Sequence, residues 1–101
     1  MGRKPYSVKI KTSNRRGKKM MDTFFDKNGD KIKTTHFGAS EYSDFTKHKD
    51  ANRKKRYITR HQKREYWNKP MTAGALSRWV LWNKPALKTS IADYKKKFKL
   101  K

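Results

Sequence analysis

The chain has 101 residues, and 29 lysines and arginines against eight acidic residues give it a formal net charge of +21. It has no cysteine, which excludes disulfides and thiolate metal sites. Its apolar share of 33% is low, but 13% of the residues are aromatic, which indicates one small folded domain over residues 1–101. No apolar run is long enough for a membrane span. So much like charge predicts an acidic or polyanionic partner.

Residues 1–40 predict a small three-stranded antiparallel meander. Apolar and polar residues alternate from Tyr6 to Lys11, which places Val8 and Ile10 on one face and Lys9 and Lys11 on the other. The turn that joins the first two strands is predicted at residues 14–17, which read Asn-Arg-Arg-Gly.

The second turn is predicted at Asn28-Gly29, a dipeptide that favours a two-residue type I′ hairpin. This turn would set the pairing between the two flanking segments, residues 20–26 and 31–37. The predicted pairs are Asp26 with Lys31, Phe25 with Ile32, Phe24 with Lys33, and Met20 with Phe37.

Residues 41–70 predict a long basic helix. The stretch 46–66 lacks glycine and proline and is rich in lysine and arginine, and Asp44 or Thr46 could cap its start. A helix that is polar nearly all round usually bridges between partners or lies on one. The cations predicted to contact a polyanion, through phosphates rather than base edges, are Arg53, Lys54, Lys55, Arg56, Arg60, Lys63 and Arg64 of this helix, with Lys9 and Lys11 of the first strand.

Residues 71–101 predict two short helices in a Trp-rich segment with a basic tail. The string Trp-Asn-Lys-Pro occurs at 67–70 and again at 82–85, and each copy is predicted to close a helix. Thr72 would cap the first short helix, and Ser90 with Asp93 would form a capping box for the second. The last seven residues are predicted to fray.

The anchors predicted for the core or for a protein interface, two alternatives that the pattern leaves open, are Trp67, Leu76, Trp79 and Trp82. The predicted fold class is α+β: a small N-terminal three-stranded antiparallel meander, a long basic helix and two short C-terminal helices.

The sequence contains no pattern typical of catalysis. His36, His48 and His61 are scattered, and no pair of them has metal-ligand spacing with a carboxylate in reach. The carboxylates are isolated among cations, which makes them poor general acids. We therefore predict a protein that is not an enzyme, with no catalytic residues, metal, cofactor or small-molecule substrate.

Three stretches, residues 44–50, 56–61 and above all 72–85, carry a resemblance. The chain resembles, over roughly residues 38–98, a family of short basic proteins of unknown function from nucleocytoplasmic large DNA viruses, including algal and amoebal giant viruses. The resemblance implies a viral origin and a place in the virion, and in the infected cell the cytoplasm or nucleus. It implies no role for any particular residue.

Two functions follow as expectations. The first is a small structural protein of the virus particle, a minor capsid or cement component whose partners are capsid or other virion proteins with acidic surfaces. The alternative is a nucleic-acid-binding protein that contacts DNA or RNA through phosphates, largely independently of sequence, and helps to condense or package the genome.

Overall fold

The computed structural model describes residues 4–41 and 43–101. A three-stranded antiparallel sheet of order β1-β2-β3 precedes the helices, which confirms the predicted α+β class. The strands are β1 (Ser7–Thr12), β2 (Lys18–Phe25) and β3 (Lys31–Ala39), and the helices are α1 (Phe45–His48), α2 (Ala51–His61), α3 (Ala73–Leu76), which continues as a π-helical segment (Ser77–Leu81), and α4 (Leu87–Lys97). Among the described residues, no helix is long and apolar enough to cross a membrane.

One face of the sheet, here called the inner face, packs against the helices. Val8, Phe24 and Phe37 project from it and are buried with side chains of α3, the π-helical segment and α4. Burial of each such apolar side chain contributes roughly 1.5–3 kcal/mol. The opposite, outer face carries Lys9 and Lys11, both exposed, as the alternation in β1 predicts.

Most of the β2–β3 hairpin has the predicted register. Phe24 pairs with Lys33, and Met20 pairs with Phe37. These pairs follow from the apolar alternation, because a slip of one residue would turn Phe24 and Phe37 out of the core.

The turn of this hairpin differs from the prediction. The Gly29 N–H donates to the Asp26 carbonyl (3.0 Å), and the Asp26 N–H donates to the Asp30 carbonyl (2.9 Å), so the loop has three residues, 27–29. The Asp26 carboxylate stabilises this loop by accepting the N–H groups of Asn28 (3.0 Å) and Asp30 (2.9 Å). Gly29 takes a positive φ of 88°, whereas a type I′ turn would require positive φ at Asn28 as well.

The predicted pairs next to the turn, Asp26 with Lys31 and Phe25 with Ile32, are therefore wrong. Phe25 pairs with Lys31, and the register shifts by one residue between Phe24 and Phe25. Ile32 is the extra residue, and this bulge restores the predicted pairing beyond it.

The three-residue turn predicts that substitutions at Asn28 and at Gly29 change the free energy of unfolding by different amounts. Gly29→Ala is expected to lower the free energy of unfolding by about 1 kcal/mol, since alanine resists positive φ. Asn28→Ala is expected to change it by less than about 0.5 kcal/mol. Urea denaturation of both variants measures this, and equal losses at the two positions would indicate the two-residue turn instead.

The single long helix predicted over residues 46–66 is wrong. After α1 the chain adopts a left-handed conformation at Lys49 (φ 55°), and the Asp50 carboxylate caps a new helix by accepting the N–H groups of Asn52 (2.9 Å) and Arg53 (3.3 Å). The resulting α2 has 11 residues. Capping outweighs helix propensity here, because an aspartate side chain can accept backbone N–H groups in place of the carbonyls of a continuous helix. Asp44, one of the two predicted caps, does cap α1.

In the C-terminal part the Thr72 cap is confirmed, because its hydroxyl accepts the Ala75 N–H (3.2 Å). The Ser90–Asp93 capping box is wrong, since α4 already begins at Leu87. The Ser90 hydroxyl instead accepts the Lys84 N–H (2.9 Å), and Asp93 accepts from the Asn83 amide (2.7 Å).

Only the second Trp-Asn-Lys-Pro string closes a helix. The π-helical segment ends at Leu81, directly before residues 82–85. By contrast, α2 ends at His61, well before the first string at residues 67–70, so that part of the prediction is wrong.

The basic tail does not fray. Leu100 is buried, the Lys101 N–H donates to the Tyr6 carbonyl (3.1 Å), and the Val8 N–H donates to a main-chain oxygen of Lys101 (2.9 Å). The tail thus hydrogen-bonds to the edge of β1, and the apolar side chain of Leu100 holds it in place despite the surrounding lysines.

Candidate polyanion-binding groove

An open groove of about 930 Å³ lies at the end of the β2–β3 hairpin that is opposite its turn. The other two walls of the groove are α2 and the helix formed by α3 and the π-helical segment. We call it the arginine groove. Its cations are Arg53, Arg56, Arg60 and Arg64 on the α2 side, and Lys18 and Lys19 on the hairpin side. The spacing of three and four residues explains the alignment, because residues so spaced share one face of a helix.

The structure divides the seven cations predicted between residues 53 and 64 by residue type. All four arginines line the groove, and none of the three lysines does. Lys55 and Lys63 are exposed outside the groove, and Lys55 lines a shallow neighbouring pocket with Arg56 and Arg60. Lys9 and Lys11 lie apart from the groove, on the outer face of the sheet.

Lys54 has an intramolecular role. Its ammonium donates to the Asn83 carbonyl (2.6 Å) and lies 4.9 Å from the ring centroid of Phe45. Partial burial, and then the charges of Arg78 and Lys84, lower the pKa of Lys54. The Lys54 ammonium thus joins α2 to the chain that follows the π-helical segment, and it does not face the groove.

Stacked aromatic rings form the floor of the groove. Tyr57 is 7% exposed and stacks on Trp82, with centroids 4.4 Å apart and an angle of 2° between the planes. His61 lies 4.5 Å from Tyr57, and Trp67 lies 6.5 Å from it. Burial, and then the nearby Glu65 carboxylate, raise the pKa of Tyr57, so its phenol is neutral. These rings contact one another, which makes the floor a support for α2 rather than a platform for bases.

The predicted anchors pack within the chain itself. Leu76 is fully buried. The Trp79 indole N–H donates to the Trp67 carbonyl (2.8 Å), and Trp82 stacks on Tyr57. Of the two alternatives left open, core or protein interface, these contacts favour the core.

Arg78 was missed by the sequence analysis. Its guanidinium lies 4.2 Å from the Trp79 ring and 5.4 Å from the Trp67 ring, and it donates to the Trp82 carbonyl (3.0 Å). Burial lowers its pKa. The signal that could have indicated this role is an arginine next to tryptophan in the most aromatic part of the chain.

Two carboxylates line the groove against six cations. Asp44 is neutralised by Lys19 (2.5 Å), where the Asp44 side chain is only 2% exposed. Glu65 lies 3.4 Å from the imidazole of His61 and against Gly74, where any β-carbon would meet its carboxylate. The four arginines have no carboxylate partner within salt-bridge distance among the described residues.

The described side chains that line the groove can bind a ligand through charge and hydrogen bonding. In the described part of the chain, no three histidine, aspartate or glutamate side chains are placed to hold a metal ion. The arrangement therefore suits the binding of an anion, and guanidinium groups suit phosphate best, because they can donate two parallel hydrogen bonds to it.

The fold and the groove define a small α+β protein with an arginine-lined groove. The chain belongs to the Family of unknown function (DUF5754), whose sequence model matches residues 8–61, more than half of the chain. The match runs from β1 to the end of α2, so it includes Arg53, Arg56 and Arg60 but not Arg64. No curated protein and no solved structure matches the chain. The viral origin implied by the resemblance stays a prediction.

Proposed function

We propose that this protein binds nucleic acid in the arginine groove, through phosphates and independently of sequence, without catalysing a reaction. The observation that carries the proposal is the alignment of four arginines, none with a salt-bridge partner among the described residues, along one side of an open groove, with two lysines on the other. Contacts to the phosphate backbone supply essentially all of non-specific nucleic-acid binding, and arginine is suited to making them.

The lining of the groove argues against reading of base sequence. Asparagine and glutamine are the side chains that read adenine, and neither lines the groove among the described residues. The rings of Tyr57 and Trp82 already stack on each other. A ligand in the groove would therefore meet guanidinium and ammonium groups first. Their contacts with phosphates position a backbone without specifying a sequence, and guanine is the base that such groups could also bind.

The structural role in a virus particle ranks second. It would be favoured by tryptophans open to a protein partner, but the Trp79 ring is in contact with Arg78 and Lys97, each 4.2 Å from its centroid, and Trp82 lies in the floor of the groove. A nucleic-acid-binding protein could be packaged with a viral genome, so the proposal accommodates a virion location. That location rests on the resemblance alone and stays a prediction.

The proposal is tested by comparing two double variants that lose the same charge. Arg56→Ala/Arg60→Ala removes two cations from the groove, and Lys55→Ala/Lys63→Ala removes two from nearby positions outside it. At about 0.9 logarithmic units per phosphate contact, the arginine variant is expected to bind a short DNA duplex roughly 60-fold more weakly at 0.1 M salt, and its log–log salt slope should be shallower by about 1.8. The lysine variant should weaken binding by less than about threefold, since these two ammonium groups lie outside the groove and would act on a ligand there only through a charge interaction that salt screens.

Fluorescence anisotropy of a labelled 20-base-pair duplex over a range of salt concentrations measures both quantities, with circular dichroism to show that each variant is folded. Equal losses in the two variants would show that diffuse charge, and not the groove, binds the duplex. An Arg56→Lys/Arg60→Lys variant separates the contribution of charge from that of guanidinium geometry, and we expect it to fall between wild type and the alanine variant.

A further inference from the structure

The outer face of the sheet carries cations and no carboxylate. Asp22 is the one acidic residue in the three strands, and it lies on the inner face, fully buried. Lys9 and Lys11 are exposed on the outer face. Arg15 lies beside it, because its N–H donates to the Ser13 hydroxyl (3.0 Å), which contacts Nδ1 of His36 on this face (2.7 Å).

The helices leave this face uncovered. The side chains that pack into the core from the sheet come from the inner face, with Val8, Phe24 and Phe37 at its centre. Met21 and Phe25, the apolar side chains of the outer face, take no part in that core. The contacts on the outer face are small ones between its own residues, such as that of the Lys9 ammonium with the Phe25 ring (5.7 Å).

Most of the cations of the molecule lie outside the arginine groove. Six of the 29 lysines and arginines line the arginine groove. A nucleic-acid segment bound there would leave most of the positive charge facing solvent, and an open face that carries cations and no carboxylate attracts a second polyanion.

We propose that the outer face is a second phosphate-contacting surface that includes Lys9 and Lys11 of β1, so that one molecule holds two nucleic-acid segments at once. This inference rests on the proposed function of the groove. The two surfaces are separated by the sheet, because the groove opens among the helices on the inner side while Lys9 and Lys11 point away from them. Such a protein would crosslink and condense nucleic acid instead of merely coating it.

The test is a bridging assay with the full chain. One duplex is attached to beads, a second, fluorescent duplex is in solution, and the protein-dependent capture of the second duplex is measured. Wild type is expected to capture it. Lys9→Ala/Lys11→Ala should reduce capture at least tenfold while its affinity for a single duplex, measured by anisotropy, changes by less than about threefold, because the groove is intact. Lys88→Ala/Lys96→Ala, which loses the same charge from exposed positions on α4, should capture as wild type does.

The outcomes separate the two proposals. Wild type that binds one duplex but captures no second one would overturn this inference and leave the groove proposal standing, whereas failure to bind any duplex would overturn the groove proposal itself. Undiminished capture by the Lys9→Ala/Lys11→Ala variant would also overturn the inference, since bridging would then come from two copies of the chain, each using its groove. Sedimentation velocity would detect that dimer.

Discussion

The free energy of unfolding is expected to fall as the pH rises from about 4 to about 8, because of one buried carboxyl group. Asp22 is fully buried on the inner face of the sheet, and neither of its carboxyl oxygens has a hydrogen-bond partner among the described residues. Burial raises its pKa to about 8, although the charge of Lys95 acts in the opposite direction. A buried carboxyl without partners favours its neutral form, since ionisation would place a desolvated charge in the core.

The direction follows from proton linkage. The unfolded carboxyl has a pKa of 3.8, so between pH 3.8 and 8 the native state holds a proton that the unfolded state releases. The stabilisation by the proton on Asp22 is complete below pH 3.8, the pKa of the unfolded carboxyl. It is lost as the pH rises to about 8, the pKa of the same carboxyl in the folded protein. At about 1.4 kcal/mol per pH unit, the loss between pH 4 and pH 7 is about 4 kcal/mol.

Asp22→Asn should remove most of this dependence, because an amide stays neutral at every pH in the range. We expect the variant to match wild type near pH 4 and to be more stable by several kcal/mol at pH 8. Urea denaturation from pH 4 to pH 9 measures the difference. Glu41→Gln, which removes an exposed carboxylate, is the control and should keep the wild-type dependence. A wild-type stability that stays constant between pH 4 and 8 would contradict the prediction.

Loss of the Tyr57 ring is expected to release α2 from the protein and with it the groove. Tyr57 is the one side chain of α2 that is buried, and its stack with Trp82 holds the helix in place. Truncation of a buried aromatic residue costs about 3–5 kcal/mol. Since α2 is otherwise rich in exposed cations, Tyr57→Ala should lose most hydrogen-exchange protection in residues 51–61, while the sheet and α4 keep theirs.

The same variant should bind a duplex at least as weakly as Arg56→Ala/Arg60→Ala does, because its arginines are no longer aligned. Tyr57→Phe retains the stacked ring and is the matched control, so its α2 protection and its affinity should both stay close to wild type. Full protection of α2 in Tyr57→Ala would show that Lys54 and the remaining contacts suffice to hold the helix.

Local signals in the sequence predicted the elements whose formation depends on neighbouring residues. Val8 and Ile10 alternate with lysines, and that pattern suffices to define β1 and its two faces. Asp44 and Thr72 cap helices because each side chain reaches N–H groups only two or three residues away. The middle of the hairpin was predictable for a related reason, since apolar pairs such as Met20 with Phe37 have a single register that buries them.

The predictions failed where two local preferences compete. Asn28-Gly29 favours one turn, but the Asp26 carboxylate stabilises another, and the bulge at Ile32 absorbs the difference. Residues 46–66 have high helix propensity throughout, yet Asp50 starts a new helix within them. The capped and continuous forms differ by about 1 kcal/mol per cap, an amount that packing of the surrounding chain decides.

The sequence alone predicts an acidic or polyanionic partner, because a charge of +21 depends on composition and requires no fold. Which cations act together was decided only by tertiary structure. The sequence does not distinguish between the seven basic residues from 53 to 64. Tyr57 is buried against Trp82 and Trp67, and this contact sets the rotation of α2 about its axis. The rotation places four arginines in the groove and brings the Lys54 ammonium to the Asn83 carbonyl. That rotation depends on rings ten and twenty-five positions away in the chain, and such long-range contacts leave no periodic trace in the sequence around α2.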